Sequence, residues 1–149
     1  MTETYNVYRD DQKVADGLSS KSFKDTGLTP ATAYKYKVEA VSGDLTAMSD
    51  EITATTLPIA VTGVTLDKTS ADVAVGGTLK LTPTVSPTNA TDKSGSWSSS
   101  VTAVATVSGG TVTVKGDAEV GATTDVTFTT NDGGKKATCT ITVVAAEEG

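Results

Sequence analysis

Residues 33–41 read Ala-Tyr-Lys-Tyr-Lys-Val-Glu-Ala-Val, and this stretch decides the fold class because apolar and charged side chains alternate along it. Tyr34, Tyr36 and Val38 fall on one side of an extended chain, and the charged residues fall on the other. A period of two is the signature of a β-strand with one buried face. The same alternation recurs through nearly the whole sequence, so an all-β fold is predicted.

The composition supports this prediction and excludes a nucleic-acid-binding surface. Hydrophobic residues make up 37% of the 149 residues, with Val as the main core-former and many β-branched Thr. No long run is rich in Leu, Glu and Lys, so almost no helix is expected. The net charge is −6, with six Lys or Arg and nine Asp or Glu in residues 1–58 and the same numbers in residues 59–149. This even spread leaves no basic face for nucleic acid.

The chain is predicted to contain two modules joined at Leu57-Pro58, because Pro is stiff and restricts the residue before it. All four tyrosines precede this junction and the single Trp follows it. The predicted division is 1–57 for the first module, 58–60 for a linker, 61–144 for the second module and 145–149 for a tail. Strands of the first module are predicted at 4–9, 12–15, 20–24, 33–41 and 51–56, with a turn at Asp10-Asp11.

The second module shows short strands separated by turn signals, which is typical of a sandwich. Turn signals lie at 76–77, 87–89, 109–110 and 131–134, the last of which indicates a hairpin. Strands are predicted at 61–66, 72–75, 78–85, 95–99, 103–107, 111–115, 124–130 and 136–144.

Catalytic, metal and cofactor sites are not expected, so the chain is predicted not to be an enzyme. No His is present, which removes the usual general base and the commonest metal ligand. Many carboxylates fall at predicted turns, where they are solvated and lack the burial that an acid–base pair needs. Cys139 alternates with Ile141 and Val143, so it is interpreted as a buried core thiol.

No membrane span or secretory signal is expected. The sequence has no apolar stretch of about 18 residues. Residues 1–5 carry neither a basic region nor an apolar segment. Synthesis in the cytoplasm is therefore expected.

Residues 1–57 resemble the C-terminal part of a fibronectin type III domain. Leu28, followed six residues later by Tyr34, is similar to the tyrosine corner, in which the phenol bonds upstream backbone. The resemblance implies a module that lacks the first two strands of a complete type III domain. The segments that carry it are 5–9, 23–30, 34–38 and 54–56.

Residues 59–144 resemble the bacterial group 2 immunoglobulin-like domain, which occurs in bacterial surface adhesins and in tailed-phage virion proteins. The resemblance implies two immunoglobulin-like β-sandwich modules in tandem and places Trp97 in the core, rather than on the surface as a sugar-stacking platform. The carrying segments are 61–66, 75–81, 87–91, 96–100, 103–107 and 139–143.

The two resemblances together imply a structural virion protein of a tailed phage, either a head decoration or a tail ornament. It would be made in the host cytoplasm and located at the virion surface. The implied partners are a major capsid or tail protein and further copies in a symmetric homo-oligomeric assembly, without nucleic acid or membrane. The second module would adhere weakly to a host-surface glycan. The alternative is a fragment of a bacterial cell-surface adhesin.

The first module supplies the candidate docking residues. Without two of its strands, the face with Tyr34, Tyr36 and Val38 is only partly covered, and a β layer must bury its apolar face. Either a partner completes the module by adding a strand, or the remaining strands cover themselves, with or without the second module. Tyr8 lies on the opposite face, where a contact role and a packing role both remain open. The candidate docking residues are Tyr5, Val7, Tyr8, Phe23 and Tyr36.

Overall fold

The structure, a computed structural model, describes residues 2–148 and confirms the all-β prediction. It contains fourteen strands, and no helix occurs among these residues. The chain divides into two compact units, unit 1 ending at Pro58 and unit 2 beginning at Ile59.

Unit 1 is a single antiparallel sheet. Strand β3 lies at its centre, because β1 pairs along one edge while β4 and β5 follow each other along the other edge. Strand β2 pairs with β1 and forms the outer edge on that side. The strands are β1 Thr4–Arg9, β2 Gln12–Leu18, β3 Ala33–Ser42, β4 Leu45–Met48 and β5 Ile52–Thr55.

The β1–β2 hairpin turns at Asp10-Asp11, as predicted. Both residues have positive φ, 50° and 65°, which a type I′ turn requires. The Lys35 backbone N–H donates to Asp10 Oδ1 at 2.9 Å. Further along the hairpin, Gly17 N–H donates to Asn6 Oδ1 at 2.8 Å where the register shifts. The turn is thus fixed by side-chain oxygens as well as by the ladder.

The predicted strand at 20–24 is wrong. Residues 19–32 run as irregular chain between β2 and β3, without strand pairing. A strand exists only where a neighbour completes its hydrogen-bond ladder, and among the described residues none lies beside this segment. The sequence pattern also missed β4, whose partner is the end of β3.

Unit 2 forms three sheets. One has the order β10-β13-β14-β7, with a parallel pairing between β14 and β7; a second has the order β11-β12-β8; and β6 pairs with β9. The hairpin predicted at 131–134 is confirmed, because it joins β13 to β14. The strands are β6 Gly63–Leu66, β7 Ser70–Ala74, β8 Thr78–Lys80, β9 Pro83–Ser86, β10 Gly95–Ser99, β11 Ala105–Ser108, β12 Thr111–Val114, β13 Thr123–Thr130 and β14 Lys136–Val144.

The segment predicted as one strand at 78–85 is two strands. Strand β8 pairs with β12, whereas β9 pairs with β6, so the chain changes sheets at residues 81–82. Asp67 fixes the change of direction, because its Oδ1 accepts from Thr82 N–H at 2.8 Å and its own N–H donates to Thr82 O at 3.1 Å.

The core of unit 2 lies between its sheets. Cys139 is fully buried in it, which confirms the core thiol, and burial raises the pKa of that thiol. Trp97 is half-buried and packs on both hydrophobic clusters, with its ring centroid 5.0 Å from that of Phe128 on the neighbouring strand. The Trp97 side chain therefore packs inward, as the resemblance implied. The main cluster of buried residues is Val73, Leu81, Ala105, Val112, Val114, Val126, Cys139, Ile141 and Val143.

Candidate functional site

An apolar groove of about 500 Å³ opens on one face of the unit 1 sheet. Its floor comes from β1 and β3, whose register places Val7 opposite Val38 and therefore on the same face. Its wall comes from Leu18 and the segment that follows β2. The lining residues are Tyr5, Val7, Leu18, Ser20, Lys21, Ser22, Phe23, Asp25, Tyr36 and Val38.

The groove leaves large apolar side chains in contact with solvent. Phe23 is 40% exposed and Val38 is 38% exposed, whereas Val7 beneath them is 7% exposed. Among the described residues of unit 1, Val7 is the one apolar side chain that is buried. Among the described residues, the sheet of unit 1 therefore presents an apolar face that is only partly covered.

Three side chains hold the wall of the groove against the sheet. Arg9 Nη1 donates to both carboxylate oxygens of Asp25, at 3.0 and 2.8 Å, and Tyr36 OH donates to Asp25 Oδ2 at 2.8 Å. Burial raises the pKa of Asp25, but these hydrogen bonds outweigh it and hold the pKa below its usual value. Asp25 therefore remains ionised and anchors residues 19–25 to β1 and β3.

The loop after this wall is fixed by Tyr34. Thr29 N–H donates to the Tyr34 phenol oxygen at 2.9 Å, so the phenol does bond upstream backbone. The guanidinium of Arg9 lies 5.5 Å from the centre of the Tyr34 ring, within cation–π distance. Tyr34 thus ties residue 29 of this loop to β3.

Tyr8 lies on the opposite face of the sheet from the other four candidate residues. Its OH donates to Glu39 Oε2 at 3.0 Å, and Asn6 Nδ2 donates to the same oxygen at 2.8 Å. These two bonds lower the pKa of Glu39. The structure therefore brings Tyr5, Val7, Phe23 and Tyr36 together in one groove and places Tyr8 in a separate polar network.

Sequence reasoning missed Leu18, Lys21 and Asp25 as groove residues. Leu18 lies opposite Tyr5 only because the β1–β2 register shifts, which a strict period of two does not predict. Asp25 is one of many turn-like acidic residues, and no spacing signal links it to Arg9.

Unit 1 also exposes apolar side chains at the far edge of the same face. Leu45 lies opposite Ser42 and Ile52 lies opposite Tyr36, and they are 75% and 64% exposed. The exposed apolar surface therefore continues from the groove toward β4 and β5.

Metal-ligating side chains do not cluster in the part of the chain that the structure describes: no group of three or more His, Cys, Asp or Glu comes together there. Within residues 2–148, no helix has the length and apolar character needed to cross a membrane.

Comparison with known families identifies the larger part of the chain. The profile of the bacterial Ig-like domain (group 2) matches residues 60–141, which is more than half of the 149 residues. An "Ig-like virion protein" of Serratia phage KSP90 is 42% identical over 93 residues, covering 62% of this chain and 35% of that protein. The chain thus spans 35% of the length of this curated relative.

Solved structures share the fold. The S-layer protein SbsC matches over 99% of this chain and 20% of its own, with a TM-score of 0.51 and 23% identity. A structure of SbsC domains 4 and 5 matches over 95% of this chain and 71% of its own, with a TM-score of 0.50 and 23% identity. These similarities establish an Ig-like all-β fold.

Proposed function

This chain belongs to the bacterial Ig-like domain (group 2) family, and on that premise we propose that it is a non-catalytic structural protein of a tailed-phage virion. The family match identifies a domain type and does not by itself give a role. The relative that is named as a virion protein of a Serratia phage supports the phage context, at 42% identity over 93 residues. The observation that carries a structural, docking role is the open apolar groove of unit 1.

The two units would have different roles in the virion. Residues 1–57, as a truncated type III-like module, dock on a major capsid or tail protein, and residues 58–60 serve as a linker. Residues 61–144 project from the virion surface and adhere weakly to host glycans. The contrast in packing supports this division, since unit 2 contains both hydrophobic clusters whereas unit 1 leaves Phe23 and Val38 exposed.

The docking role follows from the cost of leaving the groove open. Removing apolar surface from water is favourable by about 25 cal/mol for each Å². Binding of a partner that covers the groove is therefore favoured. Contiguous exposed apolar patches commonly mark protein–protein contacts. Multiple copies bound at equivalent positions of a symmetric shell or tube would give the symmetric assembly.

Mass spectrometry of purified particles from the phage that encodes this chain tests the proposal. We expect the chain in the particles, at a constant ratio to the capsid or tail protein. Particles made without the gene should bind added protein saturably, and the Val120→Ala variant, whose side chain is 64% exposed in unit 2, serves as a surface control. Absence from particles together with recovery in the bacterial envelope would replace the proposal with the adhesin alternative.

A further inference from the structure

The wall of the groove has unused backbone hydrogen-bonding groups. Among the described residues, no backbone–backbone hydrogen bond involves residues 19–28. Within 19–24 the backbone N–H of Ser22 is satisfied locally, by Ser20 Oγ at 3.2 Å. A segment with free backbone donors and acceptors beside an apolar groove has the chemistry that recognises a β-strand.

We propose that the groove binds an extended segment of a different virion protein, which pairs with residues 19–24 as an added strand. This inference rests on the proposed docking function and specifies its partner. Alternate side chains of that segment are apolar and enter the groove beside Phe23 and Val38. Same-side residues of a strand are about 7 Å apart, so successive apolar side chains reach neighbouring parts of one groove.

Charge indicates that the segment is acidic. Residues 19–24 carry Lys21 and Lys24 and no carboxylate. Neither Lys forms an ion pair among the described residues, whereas neighbouring Asp25 is already neutralised by Arg9. Carboxylates on the incoming segment would complement these two cations.

Charge also argues that the bound segment is not an edge strand from a second copy of unit 1. Strands β4 and β5, which form one edge of the sheet, contain no acidic residue. On the other edge, Asp16 is the one acidic residue of β2, and its carboxylate is paired with Lys13 at 3.0 Å. These strands lack free carboxylates to place beside Lys21 and Lys24.

A capped peptide, Thr-Glu-Val-Thr-Val-Glu-Thr, tests the inference on the full chain by NMR. We expect it to slow the exchange of amides in residues 19–24 and to bind roughly tenfold more tightly than the same peptide with Lys in place of Glu. Methylation of the peptide nitrogens that face the wall should weaken binding by at least about tenfold, because it removes the pairing donors. Phe23→Ala should also weaken binding, while Val120→Ala should not change it.

Three results would overturn the inference. The peptide fails to bind at about 1 mM, or it binds without slowing amides 19–24, or these amides are already protected by a dimer of this chain.

Particle binding distinguishes this failure from failure of the proposed function. If Phe23→Ala and Lys21→Glu proteins bind gene-deleted particles as well as the unaltered protein, the strand-addition inference fails and the virion role stands. If the unaltered protein binds no particles while the peptide binds the groove, the virion role fails instead.

Discussion

Arg9 and Asp25 lie 16 residues apart in sequence, yet Arg9 Nη1 contacts both carboxylate oxygens of Asp25, at 3.0 and 2.8 Å. This ion pair connects the end of β1 to a segment that has no backbone pairing of its own. Its side chains are 29% and 14% exposed, so solvent screens the pair less than it screens the surface ion pairs of this chain. The wall of the groove therefore depends on the ionisation of Asp25.

Acid should release this wall. Hydrogen bonds hold the pKa of Asp25 lower in the folded chain than in the unfolded chain, so its contribution is present at neutral pH. That contribution is lost progressively as the pH falls through about 4, the pKa of the unfolded carboxyl, toward the lower pKa of the folded chain. Exchange of the Thr29 amide, measured by NMR from neutral pH to about pH 3 and corrected for intrinsic exchange rates, should show the loss of protection.

The Asp25→Asn variant provides the control for this pH dependence. It keeps the side-chain shape but cannot ionise, so its Thr29 protection should be lower at neutral pH and should not fall further in acid. A variant that retains the full acid response would show that another carboxylate, such as Glu39, controls the loop.

Trp97→Ala should lower the free energy of unfolding of unit 2 by about 3 kcal/mol, the lower end of the range for large aromatic side chains, because the ring is half-buried. Urea unfolding followed by circular dichroism measures this loss. Val120→Ala, at an exposed position, should change stability by less than about 0.5 kcal/mol. A Trp97→Ala loss below about 1 kcal/mol would mean that the ring contributes little to the core.

Sequence predicted the strands that local patterning defines, and it failed where a strand or a register depends on pairing with another segment. Strands β1, β10 and β14 begin and end where the alternation predicted, because strong patterning coincides with clear turns. Residues 20–24 offer Phe23 as an apolar anchor but form no strand, since pairing depends on a neighbour that local sequence does not specify. The shift that brings Leu18 opposite Tyr5 has the same origin, because it depends on how two strands align.

The candidate site was predictable only where alternation along one strand decides which face a residue lies on. Tyr5, Val7 and Tyr36 share a face by simple alternation, and the structure places them together. Alternation also placed Tyr8 on the opposite face, but its bond to Glu39 depends on the β1–β3 register, which pairs Asn6 with Glu39. The Arg9–Asp25 contact joins a strand to an irregular segment and has no period that sequence could reveal.

Gly110→Ala should destabilise unit 2 by about 2 kcal/mol or more, because backbone strain adds to a steric clash. Gly110 has φ of 82°, and an added Cβ would lie 2.7 Å from Leu81 O and 3.2 Å from the Trp97 ring. Gly116→Ala is the matched control, since a Cβ there meets nothing within 4 Å. Thermal unfolding compares the two variants, and equal midpoints would show that this close approach is relaxed in solution.

Cys139 should be unreactive toward a thiol reagent in the native protein and fully reactive in denaturant. The side chain is fully buried, and burial raises the pKa of the thiol, so the reactive thiolate is scarce. Cys139→Ser should be less stable than Cys139→Ala, because an unpaired buried hydroxyl costs about 1–3 kcal/mol. Rapid native-state labelling would show that unit 2 opens locally around β14.

Hydrogen exchange on a verified monomer should separate unit 1 into two classes of amide. Residues 33–41 should be protected without any partner, because β3 is paired with β1 on one side and with β4 and β5 on the other. Amides of residues 19–24 should exchange rapidly, since among the described residues they have no backbone partner. In assembled particles only the second class should gain protection, because an added strand pairs with the wall and leaves the existing ladder unchanged. Slow exchange of residues 19–24 in the monomer would mean that unit 1 completes itself, and equal rates in monomer and particle would mean that no strand is added there.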